Sequence, residues 1–127
     1  MPSAGQLCLQ HSGYVSFPKH QGSGGFDQAA VHARSGYVYV AHTASSAVDV
    51  FDPASRQQLF SVTHLPGVAG VLVSNEAQLI IASNRAENTV AIFPPGPDPQ
   101  VSKVAVGVRP AAGPAPRIVR PREEKSL

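Results

Sequence analysis

The chain is 127 residues long, with 43% hydrophobic and only 14% charged residues, so it has the length and apolar content of one domain with a buried core and excludes a charged, disordered polymer. Its formal net charge of +2 is not spread over a surface, because Arg109, Arg117, Arg120, Arg122 and Lys125, half of the ten basic residues, crowd into the last nineteen positions. Cys8 is the only cysteine, which excludes an internal disulfide and a zinc site built on paired cysteines, and no stretch reaches the roughly 18 to 20 apolar residues of a membrane helix.

Residues 1–24 mix Gly, Ser, Pro and His around one small cluster, Tyr14 to Phe17, which is compatible with a single strand. They show neither a basic n-region nor an apolar h-region, so the chain as it stands reads as cytoplasmic, and as exported if its true start lies upstream. Gly22-Ser23-Gly24-Gly25 precedes a strand, whereas a phosphate-cradling loop needs a following helix N-terminus, so these glycines read as a linker.

A first unit is expected over 25–64. Gln28–His32, Tyr37–His42, Ala47–Phe51 and Gln58–Thr63 are short β-branched or aromatic runs, separated by turns of about four residues as in an antiparallel meander. Asp52-Pro53-Ala54-Ser55 carries the Asp and Pro of a type I turn. A second unit over 65–110 repeats the plan with Val68–Ser74, Gln78–Ser83, Thr89–Phe93 and Ser102–Val106, the last preceded by a loop holding four prolines, Pro94 to Gln100, that cannot continue a ladder. Residues 111–127 are rich in Pro, Arg and Glu without any period, and the expectation there is disorder.

The two units are one pattern written twice. Val40-Ala41 meets Ile81-Ala82 at an offset of 41, and Val48 to Phe51 meets Val90 to Phe93 at 42; a β-rich period of about 40 residues is that of a propeller blade. Tyr37 to Ala41 and Leu79 to Ala82 are continuously apolar, as strands covered on both faces are. The expected fold is therefore all-β, with two four-stranded antiparallel propeller-type blades forming a partial β-propeller.

Tyr39-Val40-Ala41-His42 with Val48 to Asp52, and Ile80 to Asn84 with Thr89 to Phe93, resemble the strand–turn–strand core of YVTN-family β-propeller repeats, and Val106-Gly107-Val108-Arg109-Pro110 resembles the opening of a further repeat. The resemblance covers about residues 25 to 110 and implies the fold more than any activity. Such proteins close a ring of about seven blades, whereas this chain carries two. Three readings follow: a piece of a larger propeller, a ring assembled from several copies, or a pair stabilised by its N-terminal segment. Open blade faces imply self-association.

In a propeller, ligands gather where turns converge, here 42–46, 64–67 and 84–88. His42, Asn84 and Arg85 are candidates to contact an anionic or sugar-like ligand; the competing and preferred reading makes them turn residues that satisfy backbone groups at strand ends. His32, His42 and His64 show no recognised metal spacing. Gluconolactonase-like propellers would use carboxylates and amides such as Asp27, Asp49 and Asn84, although Asp49 lies inside a strand. The basic tail has no interleaved aromatics and is interrupted by Glu123-Glu124, a poor footprint for nucleic acid. The function expected is a non-catalytic scaffold or binding surface for a protein or small ligand, without cofactor, nucleic acid or membrane partner; the alternative is part of a metal-dependent lactonase-type hydrolase.

Overall fold

The structure, a computed structural model, describes residues 10–22 and 24–107; Cys8 and the tail expected to be disordered over 111–127 fall outside them. Two four-stranded antiparallel sheets follow one another along the chain, each a simple meander. The first contains β1 (Ala29–His32), β2 (Tyr37–His42), β3 (Ala47–Asp52) and β4 (Gln57–Val62), and the second β5 (Val68–Ser74), β6 (Leu79–Asn84), β7 (Thr89–Phe93) and β8 (Ser102–Ala105). Every strand end lies within a residue of where the β-branched and aromatic runs place it. The β3–β4 turn closes as its Asp predicts, with Asp52 Oδ1 accepting the Ala54 N–H at 3.0 Å and Asp52 O accepting the Arg56 N–H at 2.8 Å. Tyr14 to Phe17 forms no strand. Gly13 at φ +146° and Pro18 flank the cluster, and its Phe17 ring packs instead on Phe26 and Phe51, with centroids 5.3 Å away in both cases.

Strand register decides which side chains share a face. Ala41 opposes Val48 in the first sheet and Ser83 opposes Val90 in the second; Val50 opposes Phe60 and Ile92 opposes Ser102. Equivalent positions therefore differ by 42 throughout (41 and 83, 48 and 90, 50 and 92), and the offset of 41 read from the β2 and β6 sequences is one residue out of register. The structural equivalent of Val40 is Ala82, and that of His42 is Asn84.

The core lies between the sheets. Tyr39, Ala41, Val48, Val50 and Val62 from one face of the first sheet meet Val68, Val71, Ile80, Ala82, Ala91 and Phe93 of the second, with Leu65 from the connection. Fully burying a side chain of this size stabilises by about 1.5–3 kcal/mol. Burial also raises the pKa of the Tyr39 phenol above its ordinary value, keeping it a neutral group that accepts the Gly96 N–H at 3.4 Å. Polar pins hold the rim: His32 joins Gln78 Oε1 at 2.6 Å, Asn75 Oδ1 accepts the Ala33 N–H at 2.7 Å, and Thr43 Oγ1 donates to Val68 O at 2.6 Å.

The outward faces differ. The N-terminal segment crosses the outer face of the first sheet, with Phe17 on Phe51 and Phe26 stacked 4.1 Å from the His42 ring. Among the described residues nothing comparable covers the second sheet, where Leu72 is 60% and Val104 50% exposed. Two-sided cover, expected for both apolar runs, is thus found for β2 and not for β6, whose Leu79 and Ile81 stay half-buried.

Candidate functional site

β2 ends at His42, the last residue before the tight Thr43–Ser45 turn, and alternation directs its side chain to the outer face together with Asp49 of β3 and Ser61 of β4, which oppose each other directly. His42 Nδ1 lies 2.6 Å from Asp49 Oδ2, Ser61 Oγ donates to Asp49 Oδ1 at 2.6 Å, and Gln58 Nε2 donates to Ser61 Oγ at 3.2 Å. The carboxylate can only accept, which makes Nδ1 the protonated nitrogen of His42. His42 Nε2 faces His20 Nδ1 at 2.6 Å and Ser45 Oγ at 3.4 Å. His42 and Asp49 are both buried, at 0% and 1% exposure.

This is a histidine–carboxylate pair, and its chemistry follows from what the remaining atoms do. A nucleophilic site needs a hydroxyl delivered to the free imidazole nitrogen. Ser61 donates instead to the carboxylate, and Ser45 stands 3.4 Å from a nitrogen that His20 already occupies at 2.6 Å. The relay is closed on itself and ties the N-terminal segment to β2, β3 and β4. A pocket of about 390 Å³ opens beside it, lined by Pro18, Gln21, Ser45, Ser61, Thr63 and His64 among others.

The equivalent cluster in the second sheet is built differently because Ala91 stands where the first sheet has Asp49. With no carboxylate opposite, Asn84 turns to its own turn: Nδ2 donates to Thr89 Oγ1 at 3.1 Å, and Thr89 donates to Glu87 Oε2 at 2.6 Å. This order leaves Asn84 Oδ1 the one buried side-chain polar atom without a partner among the described residues. Glu87 also pairs with Lys103 at 2.7 Å, and Lys103 Nζ donates to His64 O at 2.8 Å. The hydrogen bond from the Lys103 ammonium, then that from Thr89, lowers the Glu87 pKa below its ordinary 4.5. A lowered carboxyl pKa contributes stability that is present above the unfolded value and is lost as pH falls through the folded one. Lys103→Ala is therefore expected to move the Glu87 titration, followed by side-chain carboxyl NMR, up toward 4.5; an unmoved curve would mean that the ion pair is not formed in solution.

The three turns do converge at one end of the molecule. Leu65 N–H donates to Ser46 O at 2.9 Å, Ala86 N–H to Pro66 O at 3.2 Å and Arg85 N–H to Gly67 O at 3.1 Å. Gly67, at φ +67°, is required there, since a Cβ would lie 2.5 Å from Ala86 N. Arg85 is exposed and borders a shallow hollow with Thr43, Gly67 and Ala86. The side chains of His42 and Asn84 do not converge, however: His42 is on the outer face of the first sheet, under Phe26, while Asn84 lies on the inward face of the second. The same separation applies to Asp49 and Asn84, and Asp27 is exposed. No group of three or more His, Cys, Asp or Glu side chains able to hold a metal is found among the described residues. Sequence reasoning missed His20 and Ser61, whose link to His42 and Asp49 runs through cross-strand and 22-residue contacts that no local motif signals. No protein-family model and no curated protein matches the chain.

Proposed function

We propose that this chain is a non-catalytic pair of YVTN-type propeller blades, a scaffold that binds another protein through a sheet face. What supports the blade reading is the sense of packing. The first sheet turns Tyr39, Ala41, Val48 and Val50 toward the second; the second receives them on the face equivalent to the outer, His42-bearing face of the first. The sheets are thus stacked head to tail, as successive blades are, whereas two sheets related by a mirror-like pairing would present equivalent faces to each other.

The observation that carries the function is the consequence for the far side. Ile81, Val90 and Ile92, the equivalents of Tyr39, Val48 and Val50, lie on the outer face of the second sheet with the exposed Leu72 and Val104. The second sheet therefore presents to its surroundings the face with which the first sheet grips its neighbour. An apolar sheet face of this kind suits another β-sheet as partner. The polar cluster, by contrast, makes its hydrogen bonds among its own members around a buried His42–Asp49 pair, which favours structure over catalysis.

The test is the double variant Leu72→Glu, Val104→Glu. If the face is free for a partner, the variant keeps its thermal transition, as surface substitutions within about 0.5 kcal/mol do, and loses binding of a hydrophobic dye. Loss of the cooperative transition would show that the face is covered by the chain itself and would overturn the docking function.

A further inference from the structure

The two ends of this stack are not alike, and the difference limits what the free face can bind. The outer face of the first sheet is occupied. Phe17 packs on Phe51, Phe26 stacks on His42, and His20 is hydrogen-bonded to His42 Nε2 at 2.6 Å. Those residues sit where a preceding sheet would lie, because the faces equivalent to Phe51 and His42 in the second sheet, at Phe93 and Asn84, are covered by the first sheet. The segment that carries Phe17, His20 and Phe26 thus acts as a cap, and a second molecule cannot add its free face there without expelling those three side chains.

Among the described residues one sheet face remains uncovered. It consists of Leu72, Leu79, Ile81, Val90, Ile92 and Val104, interspersed with the small polar Ser74, Ser83 and Ser102, and no charged side chain stands on it to repel an identical surface. A shallow hollow lined by Gly70, Leu72, Ile81, Ser83 and Val90, with Gln28 at its border, opens on it. We propose that the occupant is a second copy of this chain, packed back to back across a two-fold axis so that the outer face of each second sheet covers the other. This rests on the docking reading above and names its partner. Such a contact is isologous and closed; head-to-tail addition would instead propagate into rings or filaments, and the cap blocks it.

The size of the face sets the strength. Four strands of about five residues cover roughly 16 by 19 Å, about 300 Å² per copy and about 600 Å² in total, below the size of standard specific interfaces, so the contact is a weak one. The dimer is therefore concentration-dependent.

Sedimentation velocity of the full chain over a hundredfold concentration range tests this. The expected result is a mass that rises from 13.3 kDa to twice that value and stops. Leu72→Glu and, independently, Val104→Glu are expected to hold the chain at the monomer mass with an unchanged far-ultraviolet dichroism spectrum, whereas Val31→Glu, exposed on the capped side of the stack, leaves the dimer intact. A mass that keeps growing beyond two copies, or a dimer that survives both outer-face variants, overturns the proposal. A monomer at every concentration also ends it; if Leu72→Glu then keeps its thermal transition the docking reading survives, and if it unfolds both fall.

Discussion

Asp49→Ala is expected to be among the most damaging single substitutions in this chain, with a loss of about 3–5 kcal/mol, the range for breaking a buried ionic or charge-assisted pair. The carboxylate is 1% exposed and accepts from both His42 Nδ1 and Ser61 Oγ at 2.6 Å, so its removal leaves the buried His42 donor and the half-buried Ser61 hydroxyl unanswered and frees the ring on which Phe26 and His20 rest. Against a total stability of about 5–15 kcal/mol for an ordinary domain, and roughly 4–8 °C of Tm per kcal/mol at this size, the variant should melt well over 10 °C lower. Urea unfolding followed by dichroism measures the loss. Asp49→Asn, which keeps an acceptor for Ser61 or His42, should fall between the two. Replacing His42 and Asp49 together by Leu should cost far less than Asp49→Ala alone, since a buried pair exchanged for apolar groups is often neutral. A loss below about 1 kcal/mol for Asp49→Ala, the level of a surface pair, would mean that water reaches the relay and that it is not a structural tie.

Phe93→Ala tests the other principal contact. The ring is 1% exposed on β7, inside the cluster that joins the sheets, and truncating a buried Phe costs about 3–5 kcal/mol through lost transfer energy and the cavity left behind. Because Phe93 opposes Ile80 and packs in the same cluster as Tyr39 and Val50 of the other sheet, the damage should not stay within the second sheet. Tyrosine fluorescence, in which the unfolding change comes from Tyr37 and Tyr39 of the first sheet because Tyr14 is already 84% exposed, and far-ultraviolet dichroism should shift together to lower denaturant as one transition. Two separated transitions, with the tyrosine signal unmoved, would show that the sheets fold as independent units and that the shared core contributes little.

Much of this architecture is legible in the residues themselves. Strands and turns follow from β-branched and aromatic runs punctuated by Gly36, Asp52-Pro53 and the prolines of 94–99, all of them local signals whose conformational preferences need no tertiary partner. The repeat was legible too, but not its register. Aligning Val40-Ala41 on Ile81-Ala82 matched similar residues while the strand pairing matches Val40 with Ala82, and in a strand one residue of slippage exchanges the two faces. His42 and Asn84 read as turn residues in the sequence, and both are the last residues of their strands; that their side chains lie on opposite sides of the first sheet follows from the head-to-tail stacking, which composition does not reveal. Arg85 stays at the exposed turn where its sequence placed it.

The sequence by itself determined two meanders of four strands, the turns between them, and an apolar content sufficient for a shared core, because these depend on alternation and propensity within a few residues of each position. Tertiary structure alone decided three things: that His42, Asp49, Ser61 and His20 close into one relay around a buried His42–Asp49 pair, that the N-terminal segment becomes a cap instead of a strand, and that among the described residues nothing covers the apolar face of the second sheet. Each depends on which face of a strand meets which distant partner. In the relay the partners stand 7, 12 and 22 positions apart, across strands or from another segment, and that choice carries no mark in the local pattern of the chain.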